Sequence, residues 1–244
     1  MQQLTENLIY QQGSDPEVLL ITFTGGYGVE AAAKQFEWLR VSSFYPYSSI
    51  FVRDPSKRMC AHGIGGNLDS FDKLLEALRE IAQRLNATRI ITIGSSAGSF
   101  AAILAAHLLK ADYCHAFAPH PYCNLKRAIL RMDKRMVRQI WATGILSYFT
   151  QMGSRKYYDL GNELANTNGH TRYFLHVCRH SDVDYRRAQY LADRPNVNVI
   201  DYPCDQHVVP RYLARYKCLD KLFDINNQDR LLEMEFIREA RAHN

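Results

Sequence analysis

The chain has 244 residues, 47% hydrophobic and 23% charged, with a formal net charge of +5. That composition belongs to a globular chain long enough for one domain, and it excludes disordered and fibrous classes. No run approaches the roughly 18 apolar residues of a membrane span, and the opening MQQLTENLIYQQGSDPE has no basic segment followed by an apolar core, so no secretory signal is expected and the expected location is cytoplasmic.

In chain order, VLLITFTG (18–25) reads as a strand ending at glycine, VEAAAKQFEWLR (29–40) as a helix and SSIFVRD (48–54) as a second strand. AHGIGGN (61–67), which contains His62, reads as a glycine-rich turn. SFDKLLEALREIAQRLNA (70–87) is the clearest helix: Phe71, Leu74, Leu75, Leu78, Ile81, Ala82 and Leu85 recur at three- and four-residue steps, and Asp69 or Ser70 supplies a cap. RIITIG (89–94) is a strand that runs into a helix opening near Ala97. DYCHAFAP (112–119) is another strand, and His120 and Tyr122 lie beyond its carboxyl end, where they read as loop filler or pocket lining.

From Cys123 to Thr171 the rhythm breaks into two helical pieces, the larger being LKRAILRMDKRMVRQIWATGILSYF, and residues 123–171 read as a small helical cap inserted within one domain. YFLHVC (173–178) and VNVIDY (197–202) are strands on either side of the helical YRRAQYLAD. An Ω-loop or tail over 224–230 precedes a final amphipathic helix near Leu231–Arg241. Short apolar strands alternating with helices predict an α/β fold, with a mostly parallel sheet covered on both faces.

The six cysteines are scattered and form no C-x-x-C pair, so they are expected to be free, mostly buried thiols, with no metal site. Lys126, Arg127, Arg131, Lys134, Arg135 and Arg138 crowd together around a single acid, Asp133. Such a run is a solvated helix face or a surface for an anionic substrate. No aromatic platform or nucleic-acid motif accompanies it, so nucleic acid is not an expected partner.

Gly94-Ser95-Ser96-Ala97-Gly98 is a G-x-S-x-G pentapeptide between a strand and a helix, the setting of a nucleophile elbow. A serine hydroxyl is a weak nucleophile. It needs a base within hydrogen-bond reach and an acid that orients the base. After the strand YFLHVC come Asp182 and Asp184, each also a helix-cap candidate. After the last strand comes His207, the one histidine of nine in the loop directly following it; His243 is penultimate, His176 lies within a strand and His180 lies in the acid's loop. Serine, acid and histidine therefore follow one another in the order that this architecture uses.

At these residues the chain resembles the α/β-hydrolase superfamily over about Val18–Phe223, and within it small bacterial serine esterases. In those the acid precedes a DYRQA-like helix and the histidine sits in an NHAFV-like loop. DYRRA and QHVVP occupy these places, so the resemblance favours Asp184 over Asp182. FVRD, HGIGG and IGSSAGSFAA are also similar to hydrolase-like proteins associated with bacterial surface polysaccharides. The resemblance implies an oxyanion hole from the backbone N–H groups of Gly26 and Ala97, with Tyr27 the alternative donor to Gly26. Two departures stand out: Thr24-Gly25-Gly26-Tyr27 replaces the usual His-Gly, and Ser99 replaces a second glycine.

The expected activity is cleavage of an ester or thioester through an acyl-enzyme on Ser96, without a cofactor, acting on a small-molecule or glycan acyl substrate of anionic character. Acyl transfer on the same triad and a non-catalytic relative are the alternatives. A dinucleotide-dependent reductase is disfavoured, because Val29 and Ala31 stand where its turn needs glycine.

Overall fold

The computed structural model describes the chain except residues 26–35, 57, 143–155, 167–168, 205–206, 208 and 243–244, and except the side chains of residues 139 and 142. Gly26, Tyr27, Val29, Ala31, His243 and most of the helix expected over 29–40 lie outside the described residues.

Eight strands form one sheet: β1 (Gln2–Thr5), β2 (Leu8–Gln11), β3 (Asp15–Phe23), β4 (Tyr47–Val52), β5 (Arg89–Ser95), β6 (Tyr113–Phe117), β7 (Arg172–Cys178) and β8 (Val197–Tyr202). Their order is β1-β2-β4-β3-β5-β6-β7-β8. The pairs from β4 to β8 are parallel, while β1–β2 and β2–β4 are antiparallel. The sequence reading missed the β1–β2 hairpin because its short strands sit in a polar segment. Only Leu8 and Tyr10, alternating into the core, betray it.

The described helices are α1 (Leu39–Ser42), α2 (Phe71–Arg84), α3 (Ala97–Leu109), α4 (Leu125–Leu130), α5 (Lys134–Ala142), α6 (Leu160–Glu163), α7 (Asp182–Ala192), α8 (Val209–Arg215) and α9 (Glu235–Ala242). Period-two alternation splits the core in two. Leu19, Ile21 and Phe23 of β3 face a cluster shared with α2, α3 and α7, whereas Val18 and Leu20 face one shared with α1, α8 and α9. Helix α2 begins where Ser70 accepts the Lys73 N–H, at 3.2 Å, so Ser70 rather than Asp69 is the cap.

Several expectations need correction. The long helix expected from Leu125 breaks after α4: Met132 takes a left-handed φ of 51°, and the Asp133 carboxylate then accepts the Met136 N–H at 2.9 Å to start α5. Residues 225–233 form two 3₁₀ pieces that meet at a kink at Arg230, rather than a loop, and pack through Ile225 and Leu231. Cys178 and Cys204 are disulfide-bonded, with Cα atoms 4.9 Å apart, while Cys60, Cys114, Cys123 and Cys218 are free and buried. Pairing of β7 with β8 sets Cys178 opposite Tyr202, which brings Cys204 within reach. A sequence separation of 26 carried no such signal. No described helix is long and apolar enough to cross a membrane.

Candidate active site

The sheet order explains the site. β5, β6, β7 and β8 are parallel neighbours, so their carboxyl ends lie side by side, and each is followed by a loop or turn. Ser96 follows β5, His120 lies three residues beyond β6, Asp184 lies in the first turn of α7 after β7, and His207 follows β8.

Ser96 adopts φ 52° and ψ −118° between β5 and α3. Such a conformation costs on the order of 1–3 kcal/mol and must be held by its surroundings. Its N–H donates to the Phe117 carbonyl at 2.8 Å, which ties the turn to β6. The two glycines of the pentapeptide serve close approach. A Cβ on Gly94 would run into the Gly98 carbonyl and Ala102, and one on Gly98 would meet the Phe23 carbonyl. Ala97, Ala101, Ala102 and Ala105 are buried, so α3 packs directly behind the serine.

His207 joins the other two groups. Its Nδ1 lies 2.7 Å from Asp184 Oδ2 and its Nε2 lies 3.0 Å from Ser96 Oγ. A carboxylate only accepts, so Nδ1 carries the proton and Nε2 is left to accept from the serine hydroxyl. Asp184 is 0% exposed and also accepts the Ser181 hydroxyl at 2.8 Å. Burial pushes its carboxyl upward, but hydrogen bonds from His207 and Ser181 and the charges of His207 and Arg187 bring it below the ordinary value. The carboxylate is therefore ionised wherever His207 can act as a base.

No protein-family model matches the sequence, and no curated protein matches it either. Solved structures do match. The chain is similar to the capsule O-acetyltransferase of Neisseria meningitidis serogroup A, with TM-score 0.60 and 16% identity over 88% of this chain and 90% of that one. It is similar to MenH from S. aureus, with TM-score 0.55 and 11% identity over 97% and 99% of the two chains. An α/β hydrolase enzyme from the metagenome of sediments from the lagoon of Mar Chica, Morocco, matches with TM-score 0.52 and 12% identity over 91% and 99%. The fold is that of the α/β-hydrolases.

Within this α/β-hydrolase fold, Ser96, His207 and Asp184 are brought together and Asp182 is not. Asp182 is the exposed first residue of α7, and Ser181 precedes it at the cap position, so neither aspartate is the cap. Ala97 is the first residue of α3, where a backbone N–H has no carbonyl partner within its helix. Gly26, the other expected donor, lies outside the described residues. Its neighbour Gly25 donates its N–H to Glu37 at 2.9 Å, and Glu37 donates its own N–H to Thr24 Oγ1 at 3.2 Å.

Three features escaped the sequence reading. His120 is no loop filler: its Nε2 lies 3.4 Å from Ser96 Oγ. Ser99 does more than fit, since its hydroxyl donates to the Ser96 carbonyl and accepts the His120 N–H at 2.9 Å. Arg187, one turn beyond Asp184, makes a buried two-pronged ion pair with Asp133, at 2.7 and 3.0 Å, which ties the α4–α5 segment to the acid's helix. Only the DYRRA stretch hinted at that arginine. Among the described residues no group of His, Cys, Asp and Glu side chains is arranged to hold a metal ion. A cleft of about 830 Å³ lined by Asp15, Tyr47 and Arg89 lies at the amino ends of β3, β4 and β5. That is the edge opposite Ser96, away from where ligands bind in such sheets.

Proposed function

We propose that the chain is a serine acyl hydrolase that cleaves an ester or thioester through an acyl-enzyme on Ser96. One observation carries this reading: a single imidazole links a buried carboxylate, at 2.7 Å, to the hydroxyl of a strained strand-to-helix turn, at 3.0 Å. His207 Nε2 takes the serine proton as Oγ bonds to the acyl carbon, and Asp184 stabilises the resulting imidazolium. The carbonyl oxygen becomes negative and is received by the N–H groups of Ala97 and Gly26. Collapse expels the alcohol or thiol, which takes the proton from His207. Water then gives a proton to the same nitrogen, its oxygen bonds to the acyl carbon, and Oγ leaves with that proton.

Residues 123–171 are read as a helical cap within a single domain, and the substrate as anionic. Six of the chain's 30 cations lie on α4, on α5 or between them. A cleft of about 560 Å³ between this segment and α7 is lined by Arg131, Arg186 and Arg194, by the paired Arg187 and Asp133, and by Asp193, so its lining carries more positive than negative charge. A second reading, transfer of the acyl group to another alcohol, is favoured by the similarity to the capsule O-acetyltransferase, which is also solved as a mutant in complex with CoA.

A fluorophosphonate probe is expected to label the wild type and not Ser96→Ala. Equal labelling of both would remove Ser96 as the nucleophile, and absence of label on either would favour a non-catalytic relative. Offering p-nitrophenyl and acyl-sugar esters with and without a second sugar, and measuring free acid against acylated sugar, separates hydrolysis from transfer.

A further inference from the structure

We propose that His120 is a second hydrogen-bond donor to Ser96 Oγ, one that supports this oxygen as the leaving group when the acyl-enzyme breaks down. The inference rests on the acyl-Ser96 reading and adds a residue that the triad does not contain.

Two imidazoles reach one hydroxyl. His207 Nε2 is 3.0 Å from Ser96 Oγ and His120 Nε2 is 3.4 Å from it, with the two ring centres 6.4 Å apart. A serine oxygen has one hydrogen to give and two lone pairs to accept with. Asp184 fixes the proton of His207 on Nδ1, so the serine hydrogen goes to His207 Nε2. What Oγ then offers His120 is a lone pair, and the nitrogen that meets it must carry hydrogen. His120 therefore bears its proton on Nε2 and leaves Nδ1 bare.

The surroundings of His120 agree with this tautomer. The residue is 2% exposed, and its Nδ1 has no hydrogen-bond partner among the described residues. With no carboxylate behind it, His120 lacks the group that makes His207 a base. Burial, together with the charges of Arg187, His207 and Arg135, holds it well below the ordinary imidazole range, so it stays neutral. The residue is also held in place. Its backbone N–H donates to Ser99 Oγ at 2.9 Å, and that hydroxyl donates to the Ser96 carbonyl. Ser99, the departure from the glycine found in many proteins that the chain resembles, thus locks the loop after β6 onto the serine turn.

A donor at Oγ acts unequally on the two halves of the reaction. Attack by Oγ and its later expulsion pass through transition states of the same kind, so the difference lies in the states that precede them. In the free enzyme the hydroxyl already accepts the His120 N–H and carries that bond into the transition state, whereas in the acyl-enzyme Oγ is an ester oxygen, a poor acceptor, and gains the bond only as it departs. In deacylation the C–Oγ bond breaks, its electron pair stays on Oγ, and the proton arrives from His207. The His120 N–H stabilises that pair as it forms.

The test compares two rates in wild type, His120→Leu and His120→Gln: the second-order rate of fluorophosphonate labelling, which reports attack by Oγ, and steady-state turnover of p-nitrophenyl acetate. In His120→Leu, turnover is expected to fall about 10- to 100-fold, the range of one hydrogen bond to a group gaining charge. Labelling is expected to change by no more than about threefold, since the free hydroxyl already accepts this bond before attack and little is gained in the transition state. His120→Gln keeps an N–H near the position of Nε2 and is expected to recover most of the turnover. Ser99→Gly, which frees the His120 backbone, is expected to give the same split in weaker form, and it serves if His120→Leu does not fold. Equal losses in both rates, no loss, or a His120→Gln variant no better than His120→Leu would overturn the proposal. Failure of the wild type both to take label and to turn over ester would instead remove the acyl-enzyme reading, and the proposal with it.

Discussion

The loops after β6 and β8 each deliver an imidazole to the hydroxyl of Ser96, and the two imidazoles differ in what stands behind them. His207 has the Asp184 carboxylate 2.7 Å from its Nδ1 and is 23% exposed at the side chain. His120 is buried, and its Nδ1 is unpartnered among the described residues. The same ring is suited to accept a proton in one place and to donate a hydrogen bond in the other. What decides the role of a histidine here is the second atom of its ring, not its distance from the serine.

The strongest way to break that contrast is to take away the carboxylate. Asp184→Asn leaves His207 without an ionised partner, and turnover is expected to fall about 10⁴-fold, as when a triad acid loses its charge. Asp182→Asn, on the exposed side of the same helix start, is expected to leave turnover unchanged. Steady-state assays of the two variants side by side check the assignment, and the reverse ranking would move the acid role to Asp182.

A smaller effect is expected from Arg187, whose charge is felt by both Asp184 and His120. Arg187→Met would leave Asp133 buried without its ion-pair partner, at a cost of about 3–5 kcal/mol in urea unfolding. The pH dependence has a definite sign. Burial pushes the Asp133 carboxyl up, but the Arg187 fork and the Met136 N–H bring it below its ordinary value in the folded chain. Its stabilising contribution is thus complete above the ordinary carboxylate pKa of about 3.9 and is lost as pH falls through the lowered folded value. In Arg187→Met, burial without the fork raises that carboxyl, so acid relieves the variant. The stability gap between variant and wild type is expected to narrow as the pH falls, and a constant gap would show that Asp133 is not the group that Arg187 holds.

The smallest effect concerns how the two loops are held. The loop of His120 is locked by Ser99, whereas that of His207 is fastened by the disulfide from Cys204, three residues before it, to Cys178. Cys178→Ala, or treatment with a reductant, is expected to lower stability by about 2–4 kcal/mol. Turnover is expected to fall with it more than in Ser99→Gly, because the base itself is loosened. An unchanged denaturation midpoint after reduction would show that the bond does not constrain the unfolded chain.

Much of the architecture is legible in local pattern. The strand at 197–202 and the strand-to-helix passage through Ser96 match their predicted extents closely, since apolar runs and helical spacing are local signals of burial. The order of serine, aspartate and histidine along the chain named the three residues that meet, because parallel neighbouring strands end at the same edge. The β1–β2 hairpin and the break at Met132 were not legible. The first hides in four-residue strands, and the second depends on Asp133 turning toward Arg187, 54 residues away.

By itself, then, the sequence determined the six strands from β3 to β8, the helices α2 and α3 and the strained turn, all set by the period of apolar residues and by glycines that permit close approach. It also determined that Ser96, Asp184 and His207 follow three different strands. Only the tertiary structure decided which aspartate faces His207, that Cys178 meets Cys204, and that His120 shares the serine. Each of these is a matter of which strand ends are neighbours in the sheet and which way one side chain points from them. Hydrogen-bond geometry across that edge acts over about 3 Å between residues more than 20 apart in the chain, and no local pattern encodes it.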